Sequence, residues 1–533
     1  MLEIKNLSIR ISSTDRPLVE NFNFALSAGD KAVIIGEEGN GKSTLLKLVY
    51  NEAMIEGYCQ HTGQIIRKGQ LAYLPQVFPE EKLNTTVEEY LHGDDDIPRL
   101  LPRLGLAASF LSSSQPVRTL SGGEKIKIQL AKILAGEPDI LLLDEPTNDL
   151  DLPTLEWLEG FILSCREPIL FISHDETLIE NTANVIIHME QLIRKTKSKI
   201  TVWRGGYSDY VKTRNLAFDK QTQVARKQRA EHKAQMARWQ QIHDRVEHEG
   251  RNIAKADRDA AGRLLKKKMK AVKSTGKRLD RQAEDFLEIP ETEDAILTKF
   301  DPAAAIPQGK VILELNLPGL WVASGVASRL GPQQAMVIGS DSKQHVGDSS
   351  DTLASRQLTG LILLNIHGPR RIGIIGKNGT GKSTLLKEIW ETVHGRKDIT
   401  AAYMPQDYTE VLDYNMPVID FLATNMRKDT ITKVRTYLGS MKFTPDEMLG
   451  RIGQLSGGQK AKILFLDMVL KNANVLLLDE PTRNFSPLSQ PEIRATLKNF
   501  GGAIISVSHD RKYLDEVCEI VYELTDNGLD MVL

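Results

Sequence analysis

The chain has 533 residues, 41% hydrophobic and 26% charged, with a formal net charge of −2. This is a globular composition long enough for two to four domains, and it excludes a disordered or fibrous chain. No apolar run approaches the ~18–20 residues that span a bilayer, and the first residues carry no basic-then-apolar leader, so neither a membrane span nor a secretory signal is expected. Cys59, Cys165 and Cys518 stand too far apart for a metal knuckle or a disulfide framework, which points to a reducing cytosol.

In chain order, Leu2–Leu7 reads as an opening strand and Ala32–Ile35 as a buried one. The second runs into Gly36-Glu37-Glu38-Gly39-Asn40-Gly41-Lys42-Ser43-Thr44 and then an apolar-periodic helix. Strand, glycine loop, helix is the context in which backbone amides and a helix N-terminus cradle phosphate. Lys42 is expected on the β- and γ-phosphates, with the Ser43 hydroxyl on Mg²⁺. Gln76, in Tyr-Leu-Pro-Gln, is a further candidate Mg²⁺ or water ligand. Leu120-Ser121-Gly122-Gly123 then offers bare amides and a hydroxyl at a helix start, a second anion site. Because the glycine loop already fills the local phosphate site, this one is expected to meet a nucleotide held elsewhere. Ile140–Leu143 and Ile169–Ile172 are buried strands ending in Asp144-Glu145 and Ser173-His174-Asp175, which puts chemistry at strand carboxyl ends. Asp144 suits a role holding Mg²⁺ and its waters, Glu145 the activation of water, and His174 a γ-phosphate contact.

Lys212 to Glu288 has no proline and reads as two long helices broken near Glu249–Asn252. It holds 21 Lys and Arg against 11 Asp and Glu, so it carries +10 while the remainder carries −12. A basic helical hairpin of that length suits phosphate backbones. Arg251, Lys255 and the cluster Lys266, Lys267, Lys268 and Lys270 are the expected contacts to such a backbone.

Beyond it the first module returns. Leu313–Leu317 resembles the opening strand, although residues 319–360 hold only six charged residues and thirteen Gly or Ser, an atypical insertion in which strands are hard to find. Gly376, Gly379, Gly381, Lys382, Ser383 and Thr384 repeat the glycine loop at an offset of 340. Gln406, Leu455-Ser456-Gly457-Gly458, Asp479-Glu480 and Ser508-His509-Asp510 repeat the other motifs in order, the last three at an offset of 335. One module is present twice.

Phosphate loop (Walker A), glutamine, Leu-Ser-Gly-Gly signature, Walker B with glutamate and switch histidine, in this order, resemble the ATP-binding cassette ATPases. Two such cassettes with a charged helical linker are similar to the ABC-F family of ribosome-associated translation factors. The resemblance covers the chain apart from roughly residues 319–360. It implies an α/β fold with two P-loop cassettes, 1–205 and 291–533, joined by the helical hairpin 206–290. It implies a monomer whose cassettes form a head-to-tail sandwich with two composite sites for ATP and Mg²⁺. Site one would combine Lys42, Ser43, Asp144, Glu145 and His174 with Ser456 and Gly458. Site two would combine Lys382, Ser383, Asp479, Glu480 and His509 with Ser121 and Gly123. Gly36, Gly39, Gly41 and Thr44, with their repeats, complete the nucleotide loops.

The implied partner is the ribosome, rRNA and tRNA included, in the cytoplasm, in translation regulation or in protection from antibiotics. Under that resemblance Arg251, Lys255, Lys266, Lys267, Lys268 and Lys270 would be RNA-binding. The alternative is a subunit energising a transporter through separate membrane chains, which predicts coupling surfaces rather than a +10 linker. Two departures from the family stand out. After the second Walker B, Arg483-Asn484-Phe485-Ser486 lacks the aspartates of Asn148-Asp149-Leu150-Asp151, which predicts asymmetric sites. In the first cassette no aromatic follows the first strand, between Ser8 and Arg16, to stack on adenine.

Overall fold

A computed structural model describes all residues except 94–95, 193–194, 253–259, 285, 287–304, 324–354, 424–426 and 533. It divides into two units, one of residues 1–207 and 293–533, the other of 208–292.

The first unit holds both cassettes. Cassette one contains β1 (Leu2–Ile11), β2 (Pro17–Leu26), β3 (Lys31–Ile35), α1 (Lys42–Tyr50), β4 (Cys59–Arg67), β5 (Leu71–Leu74), α2 (Gly122–Ala135), β6 (Ile140–Asp144), α3 (Leu152–Ser164), β7 (Ile169–Ile172), α4 (Glu176–Thr182), β8 (Val185–Leu192) and β9 (Lys197–Arg204). Strands β3, β6 and β7 are apolar runs buried along their whole length, as expected of parallel strands covered on both faces. The sheet order is β5-β6-β7-β3-β8-β9, parallel except for β9. This arrangement brings the loops after β3, β6 and β7 to one edge. A separate antiparallel sheet, β2-β1-β4, packs its apolar side onto the same core with Ile4, Ile9, Phe24 and Leu45.

The second unit is the helical hairpin, with arms α5 (Tyr207–Asn252) and α6 (Ala260–Glu284) of 46 and 25 residues. At ~1.5 Å per residue the longer arm extends roughly 70 Å. The Trp239 indole N–H donates to Val272 O at 2.8 Å, and its ring lies over Gly276, where a Cβ would come within 2.9 Å. The first arm ends at Asn252 and the second begins at Ala260, so the first helix stops at the far edge of the break expected near Glu249–Asn252.

Cassette two contains β10 (Val311–Leu317), β11 (Trp321–Ala323), β12 (Ser355–Gln357), β13 (Ile362–His367), β14 (Arg371–Ile375), α7 (Lys382–Val393), β15 (Ala401–Met404), α8 (Gly457–Leu470), β16 (Val475–Asp479), α9 (Gln490–Lys498), β17 (Ala503–Val507), α10 (Arg511–Val517), β18 (Ile520–Thr525) and β19 (Gly528–Met531). Its sheet order, β15-β16-β17-β14-β18-β19, repeats that of cassette one. Strands are therefore present at both ends of the stretch 319–360. Trp321 pairs with Gln357 much as Arg10 pairs with Pro17, so 324–354 stand in the sequence where cassette one has the turn of the β1–β2 hairpin, although β11–β12 forms a two-stranded sheet separate from β10–β13. Between α7 and β15 only 394–400 remain, and among the described residues no strand stands where β4 stands in cassette one.

Candidate nucleotide sites

The loop after β3 owes its shape to glycine. Gly36 has φ 144°, and a Cβ there would lie 2.3 Å from Met189 O; Gly376 repeats this with φ 147° and 2.5 Å to Leu524 O. Gly39, Gly41, Gly379 and Gly381 also hold positive φ. The loop thus wraps the lysine that opens α1. Lys42 Nζ donates to Gly36 O at 2.9 Å and Glu37 O at 3.2 Å; Lys382 Nζ donates to Gly376 O and Lys377 O, both at 2.8 Å.

Beside each lysine sits a set of hard oxygen donors. Ser43 Oγ donates to Asp144 Oδ1 at 2.8 Å, and the Tyr73 hydroxyl donates to Asp144 Oδ2 at 2.9 Å. Burial pushes Asp144 above the ordinary carboxylate range, and these two hydrogen bonds oppose it. Asp479 is pushed up by burial in the same way, with Ser383 as its hydrogen-bond partner. Hydroxyl, carboxylate and the Gln76 and Gln406 amides lining the same cavities form a donor set that fits Mg²⁺.

Glu145 and Glu480 both hold left-handed backbone, φ 50° and 51°, a strained conformation that turns each side chain off its strand end. Their environments differ. His174 Nε2 lies 3.0 Å from Glu145 Oε1; burial pushes Glu145 up, but His174 and then Lys42 together outweigh it and hold the carboxyl below its ordinary value. His509 Nε2 lies 3.9 Å from Glu480 Oε1, and burial, then Asp479, pushes Glu480 up to about 8. Burial, then Lys382, pushes His509 down to about 4.

The sites are composite. The serine of each signature caps its helix in a capping box, Ser121 with Glu124 at the start of α2 and Ser456 with Gln459 at the start of α8. Ser456 and Gly457 face Gly39, Lys42 and Ser43 across a cavity of about 460 Å³. Gly122 joins Lys382, Ser383, Thr384 and Glu480 around a larger cavity of about 700 Å³. Gly123 packs against Thr154, where a Cβ would lie 2.8 Å from the side chain.

Three contacts lie beyond the sequence motifs. Asn378 reaches across the interface to Asp149 O, with its Nδ2 at 2.5 Å. His174 Nδ1 approaches Phe485 O of the other cassette at 2.8 Å. Tyr58, 43% exposed, joins Ile11 and Leu18 beside the first phosphate loop because Ile11 pairs with Cys59 across β1 and β4. Tyr58 lies in the turn just before β4, so an aromatic lines this cavity although none follows β1 in the sequence.

In the hairpin, Lys266, Lys267, Lys268 and Lys270 are exposed along α6, and Lys268 pairs with Glu249 at 3.2 Å. Arg251 lies in the last turn of α5, and Lys255 lies outside the described residues.

The sequence profile of the ABC transporter family matches residues 19–148 and 362–483, once in each cassette. The chain is 26% identical to the probable ATP-binding protein YheS of Haemophilus influenzae, covering 99% of this chain and 80% of that one. It is 28% identical to ABC transporter F family member 2 of Arabidopsis thaliana, covering 81% of this chain and 56% of that one. Among solved structures, an archaeal ribosome recycling factor in complex with the ribosomal stalk protein aP1 shares the fold, with a TM-score of 0.55 at 15% identity over 99% of this chain and 90% of that one. No helix among the described residues is long and apolar enough to cross a membrane. With the profile matched once in each of two P-loop cassettes on one chain, the protein is an ATPase with twin ATP-binding cassettes, similar along most of its length to YheS and to a member of the ABC transporter F family.

Proposed function

We propose that this ATPase engages the cytoplasmic ribosome through its basic hairpin when ATP is bound, and leaves after hydrolysis to ADP and phosphate, in translation regulation or protection from antibiotics. The observation that carries the reading is the hairpin itself, a paired-helix arm with four exposed lysines on α6, in a linker of net charge +10. Neutralising phosphates with such a cluster releases counterions, so binding weakens steeply with salt. Structures sharing the fold include a ribosome-bound archaeal Pelota–ABCE1 assembly, at a TM-score of 0.52 and 14% identity.

In each site the loop amides and Lys42 or Lys382 hold the β- and γ-phosphates, and the facing signature closes on the γ-phosphate. Ser43, Gln76 and Asp144, or Ser383, Gln406 and Asp479, would hold Mg²⁺, which neutralises phosphate charge when bound. Glu145 or Glu480 orients the attacking water, and His174 or His509 positions that glutamate and the γ-phosphate. The bond from the γ-phosphorus to the bridging oxygen breaks as the water oxygen bonds to it, so catalysis is mostly positioning and charge stabilisation.

The test is Glu145→Gln with Glu480→Gln, which retains ATP binding and blocks hydrolysis. Sedimented with ribosomes through a sucrose cushion, the double variant is expected in the pellet with ATP and in the supernatant with ADP. Absence from the pellet with both nucleotides would overturn the reading.

A further inference from the structure

The two composite sites share their motifs but are closed by different contacts. In site two, Asn378 of the phosphate loop gives its backbone N–H to Asp151 Oδ2 at 3.4 Å and its side-chain amide to Asp149 O at 2.5 Å. The same loop position in site one is Glu38, and the segment facing it reads Asn484-Phe485-Ser486, without a carboxylate. Both partners of the contact have changed together.

Glu38 turns to the signature helix instead. Gly458 N donates to Glu38 Oε2 at 2.6 Å, and the adjacent Glu37 pairs with nearly buried Lys462 at 3.3 Å. A Cβ on Gly457 would lie 2.8 Å from the Glu38 carboxylate, so that group is seated against the start of α8. There the free amides and the helix dipole favour an anion. The neighbouring cavity also holds Glu145 Oε2, buried and without a hydrogen-bond partner among the described residues.

We infer that Glu38 makes site one discriminate against the triphosphate: its carboxylate holds the Gly458 amide that a γ-phosphate would take, so ATP must displace it while ADP is not opposed. The inference rests on the nucleotide sites proposed above and adds a division of labour to them. Site two, with Lys377-Asn378 at the same positions, accepts ATP without expelling a carboxylate and carries the ATP-dependent closure.

The test uses the full chain with Lys382→Ala, which silences phosphate binding in site two. Fluorescent ADP and a fluorescent non-hydrolysable ATP analogue are titrated into this background. Glu38→Asn, which copies site two, is expected to tighten the ATP analogue by roughly tenfold while ADP changes by less than about twofold. Glu38→Gln, which keeps the shape and removes the charge, moves the ratio in the same direction, and Glu37→Gln leaves the ratio unchanged. An unchanged ratio in both Glu38 variants would overturn the part given to Glu38. Failure of both nucleotides to bind in this background, in the Glu38 variants as well, would overturn site one itself, and the inference with it. The outcome is independent of whether ribosomes are bound.

Discussion

Asp175 follows the switch histidine of cassette one and lies close enough to Asp510, its counterpart in cassette two, for the two charges to repel. Burial first, and then Asp510 and Glu159, push the Asp175 carboxyl up to about 6, against the Leu178 N–H and Arg511 that favour its charge. The folded protein therefore prefers the neutral carboxyl. The associated stability is fully present below about pH 4 and is lost as the pH rises through 6. Moving from pH 7 to pH 5 returns about 1 kcal/mol from this group, at ~1.4 kcal/mol per pH unit. Asp175→Asn fixes the neutral state and removes that part of the pH dependence. Parallel melting curves of the two proteins from pH 5 to 7 measure it, and identical slopes would refute the assignment. The nucleotide loops were legible in the sequence at this scale because glycine, lysine and serine at fixed spacing dictate their geometry locally. Tyr58 and Glu38 were not. Tyr58 reaches the first loop through β1–β4 pairing, and Glu38 meets a residue 420 positions away, so no local pattern encodes either.

At the scale of elements, the buried parallel strands and the signature helices could be read from apolar runs and capping residues. The insertion could not, because β11 and β12 are three residues each and too short to show a period. Their register shows what the stretch replaces. Trp321–Ala323 and Ser355–Gln357 pair antiparallel at the place in the sequence where cassette one closes its β1–β2 hairpin with the short turn Ser12–Arg16. Replacing 324–354 with that five-residue turn should therefore leave cassette two folded. Shortening a closed loop from 31 to 5 residues stabilises by about 1–2 kcal/mol in chain entropy. A higher melting temperature with unchanged ATP turnover is expected. A lower one would mean that these residues contribute packing of their own.

Across the whole molecule, charged groups join the cassettes away from the nucleotides. Glu176, at the start of α4 in cassette one, pairs with Arg494 of α9 at 2.8 Å and with Lys512 of α10 at 2.9 Å. Arg494 is 3% exposed and also pairs with Glu516 at 2.8 Å; Arg511 pairs with Glu159 nearby. A buried pair of this kind adds little net stability over an apolar contact, but breaking it from one side leaves a desolvated charge uncompensated. Glu176→Gln strips Arg494 of its partner across the interface while Glu516 still holds it within cassette two. The damage should fall on the association of the cassettes, by about 2–4 kcal/mol, rather than on the fold of either one. Lys512→Gln removes only the more exposed partner and should cost under about 1 kcal/mol. Small-angle scattering with a non-hydrolysable ATP analogue reads the compact form directly. Glu176→Gln should need far more nucleotide to reach it and should lose turnover in parallel. If the two variants compact alike, the buried arginine is satisfied within its own cassette and the interface is held by packing.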